Sequence, residues 1–386
     1  MRNRDTRFLH AAARVACLEA RLLGKDELYR AAEADTMENA FRMLSERGVF
    51  GDRPPEQYEE ALEESAARTY ELVENITDGI GLTDIFRYPL DGHNLKVMIK
   101  EKRAGDFSEL YKAGGTIPPE MMKRELAAER FFAVPERLGR AGLEAAEQLA
   151  KTGRPQLVDI TVDKAVIALM AERAEGIGCA ALAEYVRLKT DLINLQTTLR
   201  FLRIDADTYT AARAFAEGGS FGINELEAAY AAGYDGLKVL FRKISLNEIP
   251  LETVNTERNR QQAGAVVNTE RNIGYAGTSA NTEQNRRYAE TAVNTGQNRE
   301  HVGTAANTKQ DREQIGALGA FEKEAQRCLE RLVSRMRTVP FGIEPIIRFL
   351  YLKEREIRAC RLVMAFKLFD LPEERVKARL GYIYAE

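Results

Sequence analysis

Pairs of carboxylates one helical turn apart are the first residues of this sequence that could do chemistry. Glu59 and Glu63 have this spacing, and so do Glu60 and Glu64, which would place each pair on one face of a helix. Paired carboxylates can hold two iron ions between helices, but such sites also use Glu-x-x-His motifs, and the sequence contains none. The spacing therefore favours a solvated acidic helix face over a di-iron site.

Other chemical motifs are missing as well. A phosphate-binding loop around Gly24–Lys25 would need Gly and Ser or Thr at positions that hold Glu19 and Asp26. The three histidines are scattered, and no two of the four cysteines form a Cys-x-x-Cys pair. The glycine-rich segment 217–222 follows no predicted strand and is interpreted as a turn. The sequence thus predicts no catalytic residue, no metal ligand and no cofactor, and no small-molecule ligand is expected.

The composition and the spacing of apolar residues indicate a helical protein. Of the 386 residues 45% are hydrophobic, and 56 basic residues nearly balance 59 acidic ones, which argues against a nucleic-acid-binding protein. No apolar stretch approaches the roughly 20 residues of a transmembrane segment. Apolar residues recur three or four apart, with a predicted helix stop at Gly24, a cap at Thr36 and a stop at Gly48. A strand is conceivable at 156–162, but a helical pattern follows at once, so we predict an all-α fold.

A duplicated polar element is the clearest internal signal. Residues 83–100 and 183–200 align without a gap, and a looser third copy lies in 346–368. The matched residues are Arg87, Asp91, Asn94 and Leu95 in the first copy, Arg187, Asp191, Asn194 and Leu195 in the second, and Glu356 and Ile357 in the third. Arg and Asp four residues apart could form a salt bridge on a helix. In the first copy we expect Pro89 near a helix start, where proline is tolerated. We interpret the element as a packing device that fixes the same bend in each copy, and not as a binding site.

A polar tract separates the second copy from the third. Asn-Thr recurs every 13 residues from Asn255 to Asn307, and removing five such units would leave Asn194 and Glu356 97 residues apart. This spacing predicts three helical units of about 100 residues: 1–110, 111–212 and 213–386, the last interrupted at 247–316. The composition of 247–316 favours a mobile loop with no role in the core activity, although a solenoid or polar helix is also conceivable.

Charge is distributed unevenly along the chain. Residues 54–84 contain nine acidic residues and one basic residue, whereas 345–386 contains nine basic and six acidic residues. This pattern suits electrostatic matching to protein partners, and it also suits chance clustering on solvated helices. Under the first interpretation the candidate interface residues are Glu59, Glu60, Glu63 and Glu64.

The C-terminal stretch 340–380 resembles a known family. Its Gly-Ile-Glu-Pro, Lys-Glu-x-Glu-Ile-Arg and Leu-Pro-Glu-Glu steps are similar to the C subunit of the V/A-type (vacuolar-type) rotary ATPases, which corresponds to the d subunit of the eukaryotic V-ATPase. Segments 88–100 and 188–200 add to the resemblance, which spans most of the chain outside 247–316.

The resemblance implies three similar all-helical units arranged as a funnel. It also implies a non-catalytic subunit on the cytoplasmic face of the membrane, peripheral to it and without a transmembrane segment of its own. Its partners would be the membrane rotor ring and the central shaft, and it would transmit torque for ATP-linked proton or sodium transport.

Two other classes of function stay open at this point. A non-enzymatic helical-repeat scaffold or regulator that binds protein partners would also contain internal repeats, although such repeats usually have periods of about 33–47 residues. A helical enzyme with a dispersed active site is the third class.

Overall fold

A computed structural model describes residues 7–104, 107–204, 206–246, 249, 309–339 and 341–384. In these ranges the regular structure is helical, and none of the described residues lies in a strand, which confirms the all-α prediction. The α-helices are α1 (Leu9–Glu19), α2 (Lys25–Glu33), α3 (Met37–Ser45), α4 (Tyr58–Ile76), α5 (Asp84–Ala104), α6 (Pro119–Ala128), α7 (Glu136–Thr152), α8 (Pro155–Ile177), α9 (Ala180–Ile204), α10 (Thr208–Ala214), α11 (Ile223–Ala231), α12 (Gly233–Lys243), α13 (Lys309–Met336), α14 (Glu344–Leu368) and α15 (Glu373–Ile383). Short 3-10 helices lie at Pro55–Gln57 and Ser108–Leu110.

Local signals account for many of these helix boundaries. Thr36 caps α3, because its hydroxyl accepts a hydrogen bond from the amide of Asn39 at 3.2 Å. Gly48 follows α3 with a φ of 76°, as expected of a glycine after a helix. The possible strand at 156–162 lies within α8.

Two local predictions differ from the structure. Gly24 does not end the first helix, because α1 already ends at Glu19; Gly24 instead precedes α2, and its amide donates to Glu27 at 2.8 Å. Pro89 lies beyond the first turn of α5, inside the helix, and not near its start. Proline lacks an amide hydrogen, so this helix tolerates a missing hydrogen bond at that point.

The chain divides into two compact units. The first contains the described residues within Met1–Leu22, Glu59–Leu240 and Leu329–Arg355. In this unit α8 packs along both α5 and α7. Phe86, Tyr185 and Tyr351 bring α5, α9 and the start of α14 together, with ring centroids 5.8 Å apart for the first pair and 6.3 Å for the second. This aromatic contact belongs to a continuous buried core.

The second unit contains the described residues within Leu23–Tyr58, Phe241–Cys328 and Glu356–Glu386. Here α2 packs against α3 and α15. Phe41 stacks on Phe50 at 4.4 Å between ring centroids, and Phe241 lies 5.6 Å from Phe321.

The partition into units 1–110, 111–212 and 213–386 follows the sequence duplication, and it stays a prediction, as does the funnel. Most of the predicted interruption at 247–316 lies outside the described residues. Its last residues are described as helical, because α13 begins at Lys309.

Candidate functional site

Within the described ranges, no three His, Cys, Asp or Glu side chains are grouped so that they could hold a metal ion. Cys328 and Cys360 are buried, Cys179 is half-buried and Cys17 is exposed. None of the helices in the described part of the chain is both long and apolar enough to span a bilayer.

The first copy of the duplicated element instead holds a loop. The side-chain amide of Asn94 on α5 makes two hydrogen bonds with the backbone of Lys112: it donates to the carbonyl oxygen at 2.9 Å and accepts from the amide at 2.7 Å. The carboxylate of Asp91 accepts from the amide of Thr116 at 3.1 Å, from its hydroxyl at 2.6 Å and from the amide of Ile117 at 3.2 Å. Asp91 and Asn94 are both buried. We call this arrangement the first clamp.

Arg87 also binds this loop and does not form the salt bridge that its spacing from Asp91 suggested. Its Nε donates to the carbonyl oxygen of Gly114 at 2.9 Å, and a terminal nitrogen donates to that of Gly115. Burial raises the pKa of Asp91, while its hydrogen bonds from the loop and the positive charge of Arg87 act in the opposite direction. All three polar side chains of the element are thus directed to one loop.

The second copy forms an equivalent clamp. Asn194 on α9 donates to the carbonyl oxygen of Ala216 at 2.8 Å and accepts from its amide at 2.9 Å. Asp191 accepts from the amides of Ser220 at 2.7 Å and Phe221 at 3.3 Å. Arg187 is exposed, and it forms no salt bridge with Asp191 in this described stretch.

Both loops contain two consecutive glycines that the clamp requires. They are Gly114–Gly115 and Gly218–Gly219, and the first glycine of each pair has a positive φ, 85° and 96° respectively. A Cβ atom on the second glycine would lie 2.3 Å from the carboxylate of Asp91 in one loop and 2.2 Å from that of Asp191 in the other. The sequence did not predict these loops, and 217–222 was interpreted only as a turn. The signal was Gly-Gly followed by Thr in one copy and by Ser in the other.

In the third copy only Glu356 takes part in a similar arrangement, and the second side chain, Tyr384, lies outside the copy. In the second unit the buried carboxylate of Glu356 accepts from the amide of Leu23 at 2.7 Å. The hydroxyl of Tyr384 donates to the carbonyl oxygen of Leu23 at 3.5 Å. Both backbone polar groups of one residue are thus bound by side chains in each case: Lys112 by Asn94, Ala216 by Asn194, and Leu23 by Glu356 together with Tyr384. The apolar residues of the element, Leu95, Leu195 and Ile357, are buried.

The candidate interface carboxylates lie on α4 in the first unit, where the structure also gives some of them internal contacts. Glu60 is exposed, whereas Glu59, Glu63 and Glu64 are half-buried. Glu63 accepts from the amide of Ala113, in the loop of the first clamp, at 3.4 Å. Glu64 lies 3.7 Å from Arg68. Their role as an interface stays a prediction.

A surface groove of about 930 Å³ runs between α7, α8 and the α10–α11 segment of the first unit. Its lining includes apolar residues such as Leu157, Ile160 and Phe215 as well as charged residues. Arg137 pairs with Glu172. The groove has no dominant charge, because its charged lining residues are four basic and four acidic ones: Arg137, Arg140, Lys164 and Arg213, and Glu136, Glu144, Glu172 and Glu217.

The family model described as ATP synthase (C/AC39) subunit matches residues 11–264 and 278–379 of the chain. No curated protein matches the sequence.

Proposed function

The chain belongs to the ATP synthase (C/AC39) subunit family, and from this membership we propose that it is the central-stalk socket subunit of a V/A-type rotary ATPase. The membership confirms the resemblance of 340–380 to this family. In the proposed role the protein couples the shaft of the complex to its membrane rotor ring. It transmits torque for ATP-linked transport of protons or sodium ions and catalyses no reaction itself.

The observation that carries this proposal is the family match, which covers nearly the whole chain. The packing of the first unit supports it physically. A part that transmits torque must deform little under load, and close-packed helices meet this requirement because protein interiors have low compressibility. Loops are usually the most mobile parts of a helical protein. The clamps at Asn94 and Asn194 restrain two loops of this unit through buried hydrogen bonds.

The proposed location follows from the same membership. A subunit that joins a ring in the membrane to a shaft outside it would be peripheral to the membrane, on its cytoplasmic face. Its partners would be the ring and the shaft subunits.

Co-purification tests the proposal directly. The tagged full chain is mixed with the detergent-solubilised rotor ring and with the shaft subunits, separately and together, and the complexes are isolated by size-exclusion chromatography. We expect binding to each partner and a ternary complex with both. A chain that binds neither partner would overturn the proposal. Binding to unrelated proteins instead would favour the helical-repeat scaffold or regulator.

A further inference from the structure

The arginines of the duplicated element are used differently in its first two copies. Arg87 donates to the carbonyl oxygens of Gly114, at 2.9 Å, and of Gly115. Arg187 is exposed instead, and in this described part of the chain it makes no hydrogen bond with the loop of its own copy. Both arginines have the same position in the element, four residues before the aspartate and seven before the asparagine. Their spacing therefore does not explain the difference.

The two loops match closely in structure. We call Asp191, Asn194 and the loop 216–221 that they hold the second clamp. In each loop the Gly-Gly pair begins two residues after the residue that the asparagine binds, and the aspartate binds the next two amides. The carbonyl groups of Gly218 and Gly219 thus correspond to the two that Arg87 binds in the first clamp. Because helix and loop are related in the same way in both copies, the side chain of Arg187 can reach these two groups by rotation about its own bonds.

Arg187 already acts on the second clamp through its charge. Burial raises the pKa of Asp191, whereas hydrogen bonds from the loop and the positive charge of Arg187 lower it. The guanidinium group therefore lies within electrostatic reach of the clamp, although it does not bind the loop. Closing onto the loop would require no movement of α9.

An aromatic ring supports Arg87 and has no counterpart at Arg187. The guanidinium carbon of Arg87 lies 5.9 Å from the ring centroid of Tyr70, which is buried. The hydroxyl of Tyr70 donates to Glu354 at 3.2 Å, which holds the ring in place. Among the residues that the structure describes, no ring lies over Arg187. A cation–π contact of this kind shifts an equilibrium by about two- to fivefold at a partly exposed site, so it favours the bound state of Arg87.

Without such a ring, the closure of Arg187 onto its loop is nearly balanced. Two hydrogen bonds favour closure and the lost rotamer freedom of a long side chain opposes it, and each effect changes the equilibrium constant by about ten- to hundredfold. We propose that Arg187 is a mobile third arm of the second clamp, which alternates between solvent and the carbonyl oxygens of Gly218 and Gly219. A protein surface that covered this loop would take water from these carbonyl groups and would favour the closed state. The arm does not depend on the proposed function, since it involves residues of this chain alone.

Nuclear magnetic resonance of the arginine side chains in the full chain tests this proposal. We expect the Nε–H group of Arg187 to exchange with water about two- to tenfold more slowly than that of an arginine in an unstructured peptide, because the closed state protects it. The Nε–H group of Arg87 should exchange more slowly still. The signal of each arginine is assigned by its disappearance in the corresponding Arg→Lys variant.

Amide hydrogen exchange provides the second measurement. Arg187→Lys keeps the charge but removes the planar group that donates two hydrogen bonds at once, so the amides of Ser220 and Phe221 should exchange about two- to tenfold faster. Arg203→Lys is the matched control, since Arg203 is another exposed arginine on α9, and it should leave these amides unchanged. Thermal unfolding shows that each variant is folded.

Two results would overturn the proposal. The first is an Nε–H group of Arg187 that exchanges as fast as in an unstructured peptide, since the side chain would then stay in solvent. The second is an exchange rate at Ser220 and Phe221 that Arg187→Lys leaves unchanged, or that Arg203→Lys raises equally.

Discussion

Asn94 and Asn194 show how one side chain can order a loop. A primary amide has a donor and an acceptor side by side, and each asparagine uses both on the backbone of a single residue, Lys112 or Ala216. Since both asparagines are buried, replacing either would leave two backbone polar groups without their partners.

Replacement of Asn94 by Ala should therefore destabilise the protein by about 2–4 kcal/mol, because two hydrogen bonds are lost and two loop groups must find water. We expect a similar loss for Asn194→Ala. The measurement is equilibrium unfolding in guanidinium chloride, followed by circular dichroism. Asn75→Ala is the control, since Asn75 is an exposed asparagine on α4 and should change stability little. A loss no larger than that of the control would show that the clamp is not stabilising.

Glu125 provides a prediction about pH. Its pKa in the folded protein is lowered by the amides of the 132–134 loop, so it lies below the unfolded-state value of about 4.3. Because the folded-state pKa is lowered, the unfolded chain binds the proton of Glu125 more tightly than the folded protein does. The stabilisation by the charged carboxylate is therefore present above about pH 4.3. It is lost as the pH falls through the folded-state pKa. The stability difference between wild type and Glu125→Gln should therefore be largest at neutral pH and shrink below about pH 4.

Unfolding in denaturant at several pH values measures this difference. Glu120→Gln, at an exposed position on the same helix, is the control and should differ little from wild type throughout. A Glu125→Gln difference that is constant from pH 7 to below pH 4 would contradict the assignment.

At the scale of elements, the clamps depend on the glycines of the loops as much as on the helices. Gly115→Ala and Gly219→Ala should each destabilise the protein by about 1–3 kcal/mol, because the new methyl group would displace the carboxylate that binds the loop. Gly176→Ala is the matched glycine-to-alanine control, since an added Cβ at this position of α8 has no atom within 4 Å. This change should be neutral or stabilise by up to about 1 kcal/mol. Equal effects of all three changes would exclude a steric role for the loop glycines.

The sequence predicted the helices better than the contacts between them. Local signals such as the cap at Thr36 act within one turn, so they could be read directly from neighbouring residues. The partners of Asn94 and Asn194 lie 18 and 22 residues further along the chain, and no local rule fixes which loop a buried amide will bind. The repeated Gly-Gly pairs were visible in the sequence, but their meaning depends on the approach of an aspartate from another element.

The predicted positions of Pro89 and Gly24 relative to their helices were wrong. Glycine and proline are each compatible with more than one position relative to a helix. Pro89 lies inside α5, and Gly24 precedes α2, where its amide donates to Glu27. The exposure of Phe132 could not be predicted either, because the sequence Phe131–Phe132 gives no indication of which ring packs inward. In the structure Phe131 is the ring that packs inward, against Gly139.

For the whole molecule, the carboxylates Glu59, Glu60, Glu63 and Glu64 of α4 are the charges that we expect to influence binding to partner subunits. Exposed charges contribute little to folding, typically up to about 1 kcal/mol each, but they steer association and set its dependence on salt. Glu63 also accepts from the amide of Ala113 at 3.4 Å, and Glu64 lies 3.7 Å from Arg68, so reversing either charge also changes a contact within the first unit.

Reversal of Glu59, Glu60, Glu63 and Glu64 to Lys should weaken binding to the ring or shaft by roughly tenfold or more at low ionic strength if this face is an interface. The loss should diminish as salt is added, because exposed charges are screened within about 10 Å at 0.1 M salt. The matched control reverses four exposed acidic residues of the second unit, Asp35, Glu38, Glu46 and Asp52. Both variants change the net charge equally, so an equal loss of binding affinity would indicate a general charge effect. Unchanged binding of the α4 variant to both partners would show that this face lies outside the interfaces.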